Sequence, residues 1–97
     1  MEFDLELYRE YVEVEPDVTI SYIDIAPERP LRTFLLIHGF GGNVKQWQYQ
    51  INQFAQQNHV IAIDLRGHGG SSRGASMDYD MDHLVGDMVS EIGRAHV

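Results

Sequence analysis

The chain has 97 residues, enough for one small domain or a piece of a larger one, and its hydrophobic fraction of 43% and charged fraction of 23% suit a globular protein. With 15 acidic residues against 7 basic ones its net charge is −8, which argues against nucleic acid or an anionic membrane surface as partner. There is no cysteine, so disulfides, thiolate chemistry and cysteine-ligated zinc are excluded.

The N-terminus, MEFDLELYRE, has neither a basic region nor an apolar stretch of signal-peptide type, and no apolar run approaches membrane-spanning length. A soluble, cytoplasmic protein without a membrane span is expected. Phe3, Leu5 and Leu7 alternate with Glu2, Asp4 and Glu6, a half-buried strand pattern. The phase then shifts to Tyr8, Val12 and Val14, marking a bulge. Glu15-Pro16-Asp17 is a turn signal, and Val18, Ile20 and Tyr22 alternate again. Two strands joined in this way predict an antiparallel hairpin. Pro27 and Pro30 bracket the loop that follows.

At Thr33-Phe34-Leu35-Leu36-Ile37 the alternation gives way to a continuously apolar run, as in a parallel strand covered on both faces. His38-Gly39-Phe40-Gly41-Gly42 follows, then Asn43, a helix cap with Gln46 at capping-box spacing. Val44, Trp47, Ile51 and Phe54 recur at three and four residues and predict an amphipathic helix over 44–57, with a glutamine-rich outer face. His59–Ile63 is a second buried strand ending at Asp64. The fold class is therefore α/β: an N-terminal antiparallel hairpin followed by a parallel βαβ unit. Beyond a glycine-rich polar stretch, Met81, Leu84, Val85, Met88 and Val89 form one helical stripe, with Asp78, Asp80 and Asp82 at its N-terminal end.

Gly70-Ser71-Ser72-Arg73-Gly74 has the spelling of a nucleophile elbow, Gly-x-Ser-x-Gly. An elbow needs a strand running into its serine and a helix leaving it. Here the strand ends near Asp64 and no helical pattern follows Gly74, so Ser72 is not the nucleophile. His38-Gly39-Phe40-Gly41 is the stronger signal, because glycines at a strand end let backbone N–H groups face a crevice and hold an oxyanion. Losing one such donor costs about 3 kcal/mol of transition-state stabilisation. A plain tight turn or a phosphate-binding turn also fits. Gly39-x-Gly41-x-x-Val44, with Asp64 as a ribose acid, resembles a dinucleotide fingerprint and keeps a nucleotide-binding domain as a weaker reading. Against it, Val44 replaces the third small residue.

Lys45 lacks the spacing of a P-loop. Asp78-x-Asp80-x-Asp82 opens like a calcium loop, but His83 and Val89 stand where glycine and glutamate are required. His38, His59, His68, His83 and His96 show no paired metal spacing, and neither metal nor cofactor is expected. Trp47 reads as core or pocket lining.

The stretches FLLIHGFGGNVKQW and VIAIDLRGHGGSS, in this order, resemble the N-terminal part of the α/β-hydrolase fold superfamily over about residues 18–90. They are similar in particular to its esterase, lipase and C–C-bond hydrolase members with a His-Gly-x-Gly turn. The resemblance implies that the Phe40 N–H is the first oxyanion donor, that Gly41 belongs to the oxyanion turn and that His38 shapes it. It also implies that Asp64, Arg66, Gly67, His68, Gly69 and Ser71 match the Asp-x-Arg-Gly-x-Gly-x-Ser loop, which lines the site structurally. Sister families depart from this pattern. Epoxide hydrolases usually carry proline where Gly41 stands, and haloalkane dehalogenases carry asparagine where Phe40 stands, so ester or related acyl hydrolysis gains ground.

The expected function is that of a serine hydrolase fragment acting on a small-molecule carboxylic ester or acyl substrate through an acyl-enzyme. The triad serine, histidine and acid are absent from the 97 residues. The alternative is a non-catalytic member of the fold that serves as a receptor or interaction module. By resemblance to a strand order of 1-2-4-3-5, the Thr33–Ile37 strand lacks one neighbour. The chain alone is accordingly expected to be inactive and poorly soluble. Residues 1–90 are expected to be part of one domain. The tail EIGRAHV, 91–97, back-translates to a sequence that looks like a sequencing adapter read in frame, and is expected to be non-native.

Overall fold

Strands β1 (Arg9–Glu15) and β2 (Val18–Ile25) form the predicted antiparallel hairpin in the computed structural model of the chain, which describes residues 2–39 and 41–72 together with Gly86. The turn between them places Asp17 at a φ of 65°, a left-handed position that aspartate tolerates better than most residues. The phase change near Tyr8, expected to mark a bulge, is the end of a 3-10 turn instead, and the register shift of the hairpin lies further on, between Glu13 and Glu15.

The strand expected over residues 2–7 does not form. Leu5–Tyr8 make a single 3-10 turn, opened by Asp4, whose carboxylate accepts the Glu6 N–H at 3.2 Å. In a strand Leu5 and Leu7 would share one face; here Leu5 is buried and Leu7 is 78% exposed. Local capping by Asp4 outweighs an alternation too short to be propagated.

Strand β3 (Thr33–Ile37) pairs in parallel with β4 (His59–Ile63), in register from Thr33↔His59 to Ile37↔Ile63, and β4 pairs antiparallel with β2. The sheet order is β1-β2-β4-β3, which agrees with the order the resemblance implies. Strand β4 is central and covered on both sides. Val60 and Ala62 pack with Leu5, Ile23, Ile25, Val44, Ile51 and Ala55, whereas Ile61 and Ile63 pack with Val12, Val18, Ile20 and Tyr22. Burial of both faces is why its sequence shows no alternation. Strand β3 is equally apolar but only half-buried, and among the described residues it is paired along one edge.

The helix predicted over 44–57 is shorter and begins differently. Val44–Trp47 form a 3-10 turn and helix α1 runs Gln48–Phe54. Asn43 caps the turn as expected, its side chain accepting the Lys45 N–H at 2.8 Å, while the Gln46 side chain lies over Gly42. The N–H and the side chain of Asn58 both donate to the Phe54 carbonyl, at 2.9 Å each, and stop the helix. Its polar face is not merely solvated: Gln48 donates to the Phe3 carbonyl at 2.8 Å, and Asn52 accepts the Phe3 N–H at 2.9 Å. Ile51 is fully buried beneath α1, and truncating it to alanine would cost about 2–5 kcal/mol.

The predicted helix around Met81–Val89 lies outside the described residues except for Gly86, which is helical, and so does the tail 91–97. Among the described residues no helix is long and apolar enough to cross a membrane.

Candidate active site

Because β3 and β4 are parallel and in register at Ile37↔Ile63, they deliver His38 and Asp64 side by side at their carboxyl ends. That edge of an open α/β sheet is where ligands bind. Two loops leave from it, one through Gly39–Gly42 and one through Leu65–Ser72.

Two histidines clip these loops together. His38 is buried, and its Nε2 accepts the Leu65 N–H at 2.9 Å. An amide N–H can only donate, so Nε2 is bare and the proton sits on Nδ1, which donates to the Gly39 carbonyl at 2.6 Å. His68 repeats the arrangement in the opposite direction: Nε2 accepts the Gly41 N–H at 2.8 Å and Nδ1 donates to the Arg66 carbonyl at 3.0 Å. The two rings lie 5.0 Å apart, tilted by 48°. Both act as neutral imidazoles in the Nδ1–H tautomer, since an imidazolium has no acceptor to offer.

Asp64 is the buried hub beneath them. Its Oδ1 accepts the Val44 N–H at 2.8 Å, fixing the start of the helical segment. Its Oδ2 accepts the Gly70 N–H at 3.0 Å and pairs with Arg9 Nη1 at 2.9 Å. Ser71 donates its hydroxyl to the Asp64 carbonyl at 2.6 Å and accepts the Ser21 N–H at 2.8 Å, tying the loop to β2. Arg9 also donates to the Ser21 hydroxyl and, through Nε and Nη2, grips the Glu6 carboxylate at 2.8 and 2.9 Å. The hydrogen bond from Arg9 holds the Glu6 carboxyl below the usual glutamate range, and the same contact, helped by Asp64, raises the Arg9 guanidinium. Arg66 is buried and pairs with Glu15 at 3.1 Å.

The predicted site residues sort themselves accordingly. His38 and Gly41 come together, joined by His68. Phe40 lies outside the described residues. Asp64 has no exposed surface and its oxygens are spent on backbone and Arg9, which removes it as the ribose acid of a nucleotide site. The Ser72 hydroxyl accepts the Thr19 N–H at 2.7 Å and reaches the Asp17 carbonyl at 3.4 Å, so it anchors the loop to the hairpin. Sequence reasoning missed Arg9, which lies 55 residues from Asp64 and carries no local signal of that contact. It placed His68 in the loop without assigning it the bond to Gly41.

Comparison with known proteins follows the same line. A sequence profile of the alpha/beta hydrolase fold matches residues 32–97. Epoxide hydrolase 3 of Xenopus tropicalis is 44% identical over 55 residues, 56% of this chain and 15% of that protein. The Cif epoxide hydrolase from Acinetobacter nosocomialis superposes with a TM-score of 0.76 at 27% identity, over 89% of this chain and 26% of its own. The thioesterase domain from the curacin biosynthetic pathway superposes with a TM-score of 0.74 at 26% identity, over 89% of this chain and 32% of its own. Further relatives from mouse, human and Caenorhabditis elegans are also named epoxide hydrolases. These names do not single out ester hydrolysis. The chain spans 15–22% of the length of the first of these relatives.

Proposed function

The chain belongs to the alpha/beta hydrolase fold family, and we propose that the full-length protein hydrolyses carboxylic esters or related acyl compounds through a serine acyl-enzyme. The observation that carries this reading is the conformation of Gly41. Its φ is 86° and its N–H is donated to His68. Proline, the residue that the resemblance associates with epoxide hydrolases at this position, is locked near a φ of about −65° and has no N–H. The turn seen here is one that proline cannot make.

In this reading a serine hydroxyl from a further strand adds to the acyl carbonyl, and the Phe40 N–H supports the negative oxygen while His38 shapes the turn. The alcohol leaves, and water releases the acid from the enzyme. The 97 residues alone are inactive in this proposal, because no elbow serine lies among them.

A second reading, epoxide hydrolysis, is favoured by the names of the relatives. Assaying the full-length protein on p-nitrophenyl butyrate and on styrene oxide side by side separates the two. Turnover of the ester alone supports acyl hydrolysis, turnover of the epoxide alone supports the second reading, and turnover of neither supports a non-catalytic member of the fold.

A further inference from the structure

We infer that His68 is a positioning residue for the oxyanion turn, holding Gly41 through its unprotonated Nε2; the catalytic consequence rests on the ester-hydrolase reading, whereas the geometry does not. Packing against other described residues does not fix Gly41: apart from its chain neighbours, none of them has a heavy atom within 4 Å of the place where its Cβ would stand. A glycine in open space samples many conformations. The turn is closed on itself by the Gly42 N–H donating to the Gly39 carbonyl at 3.0 Å, but that bond does not aim it. The bond from Gly41 to His68 does, since it ties the turn to a loop that is itself locked.

The locking can be followed residue by residue. Gly67 and Gly69, at φ values of 77° and 50°, bend the loop that presents His68. Gly70 is held by Asp64 Oδ2, and Leu65, at the root of the loop, is held by His38. The His68 ring is oriented by its own bond to the Arg66 carbonyl and by contact with the His38 ring. The charged groups nearby are committed elsewhere: Asp64 to Val44, Gly70 and Arg9, and the Arg66 guanidinium to Glu15. The bond to Gly41 therefore depends on which imidazole nitrogen is bare. Donors that meet an oxyanion must be placed to within about 0.5 Å, and an unclipped glycine turn does not hold that tolerance.

Three variants of the full-length protein separate positioning from shape. His68→Gln can keep an acceptor near the Nε2 position, His68→Asn keeps only a group near Nδ1, and His68→Phe keeps the ring without either nitrogen. The first readout is independent of the substrate: long-range 1H–15N spectra of the imidazoles, and amide exchange at Gly41. A bare Nε2, with Gly41 protected in the parent and His68→Gln but exposed in His68→Asn and His68→Phe, supports the inference. A protonated Nε2, or equal exchange at Gly41 in all four proteins, overturns it. The second readout is p-nitrophenyl butyrate hydrolysis: kcat should fall by about tenfold to a hundredfold in His68→Asn and His68→Phe with KM little changed, and recover in His68→Gln. Unchanged kcat in His68→Asn and His68→Phe overturns the positioning role. If the parent hydrolyses no ester, the ester reading fails, and the clip stands or falls on the exchange result.

Discussion

The Asp64 carboxylate fills the space that a side chain at position 69 would need: a Cβ on Gly69 would stand 2.3 Å from Oδ1. Gly69 also has a φ of 50°, so a side chain there meets both a clash and backbone strain. Replacing it with alanine should destabilise the full-length protein by about 2–3 kcal/mol in denaturant unfolding. Gly39→Ala is the control, because among the described residues, its chain neighbours apart, nothing lies within 4 Å of its Cβ position. Equal unfolding midpoints for the two variants would contradict the hub role of Asp64.

Asp64→Asn removes the charge opposite Arg9 and replaces one acceptor with an amide donor, where the Val44 and Gly70 N–H groups converge. Breaking a buried pair from one side costs about 3 kcal/mol or more, since the partner is left uncompensated. A double-mutant cycle with Arg9→Met should show coupling, the double variant being more stable than the sum of the single losses predicts. Strict additivity would mean that the ion pair contributes nothing beyond its parts.

Glu6 gives a pH dependence whose sign is fixed. Its folded-state carboxyl is more acidic than in the unfolded chain because Arg9 bonds to the carboxylate. Its contribution is therefore fully present above the ordinary glutamate pKa of about 4.3 and is lost as pH falls through the lower folded value. The Glu6 side chain is 59% exposed, so the effect is small and screened by salt. The melting temperatures of the parent and Glu6→Gln should differ at pH 6 and converge towards pH 3, with a smaller gap in 1 M NaCl. A gap that widens on acidification contradicts the assignment.

Ser72→Ala should leave kcat/KM on p-nitrophenyl butyrate unchanged and cost about 1 kcal/mol of stability, the loss of the hydroxyl that accepts the Thr19 N–H. Abolished turnover with stability intact would restore Ser72 as a nucleophile.

The α/β architecture was legible because its signals are local or periodic. Val18, Ile20 and Tyr22 alternate, Val60–Ile63 form an apolar run because both faces of β4 are buried, and Asn43 announces its cap. Two local signals misled. Leu5 and Leu7 mimic a strand because two alternating leucines cannot be told from a capped 3-10 turn until burial is known. The helix reading overran Phe54, because apolar spacing does not register a C-terminal stop made by Asn58. The site was legible as the two motifs but not as a mechanism of assembly. The bonds His38 to Leu65, His68 to Gly41 and Arg9 to Asp64 join residues 27, 27 and 55 positions apart, and no periodicity encodes them.

The central claim, acyl hydrolysis through a serine that is neither Ser71 nor Ser72, is tested most directly by treating the full-length protein with a fluorophosphonate and mapping the modified peptide by mass spectrometry. The prediction is stoichiometric labelling of one serine outside residues 1–97, with loss of p-nitrophenyl butyrate hydrolysis in step with labelling. Absence of labelling in a protein that opens styrene oxide, or labelling at Ser72, would contradict it.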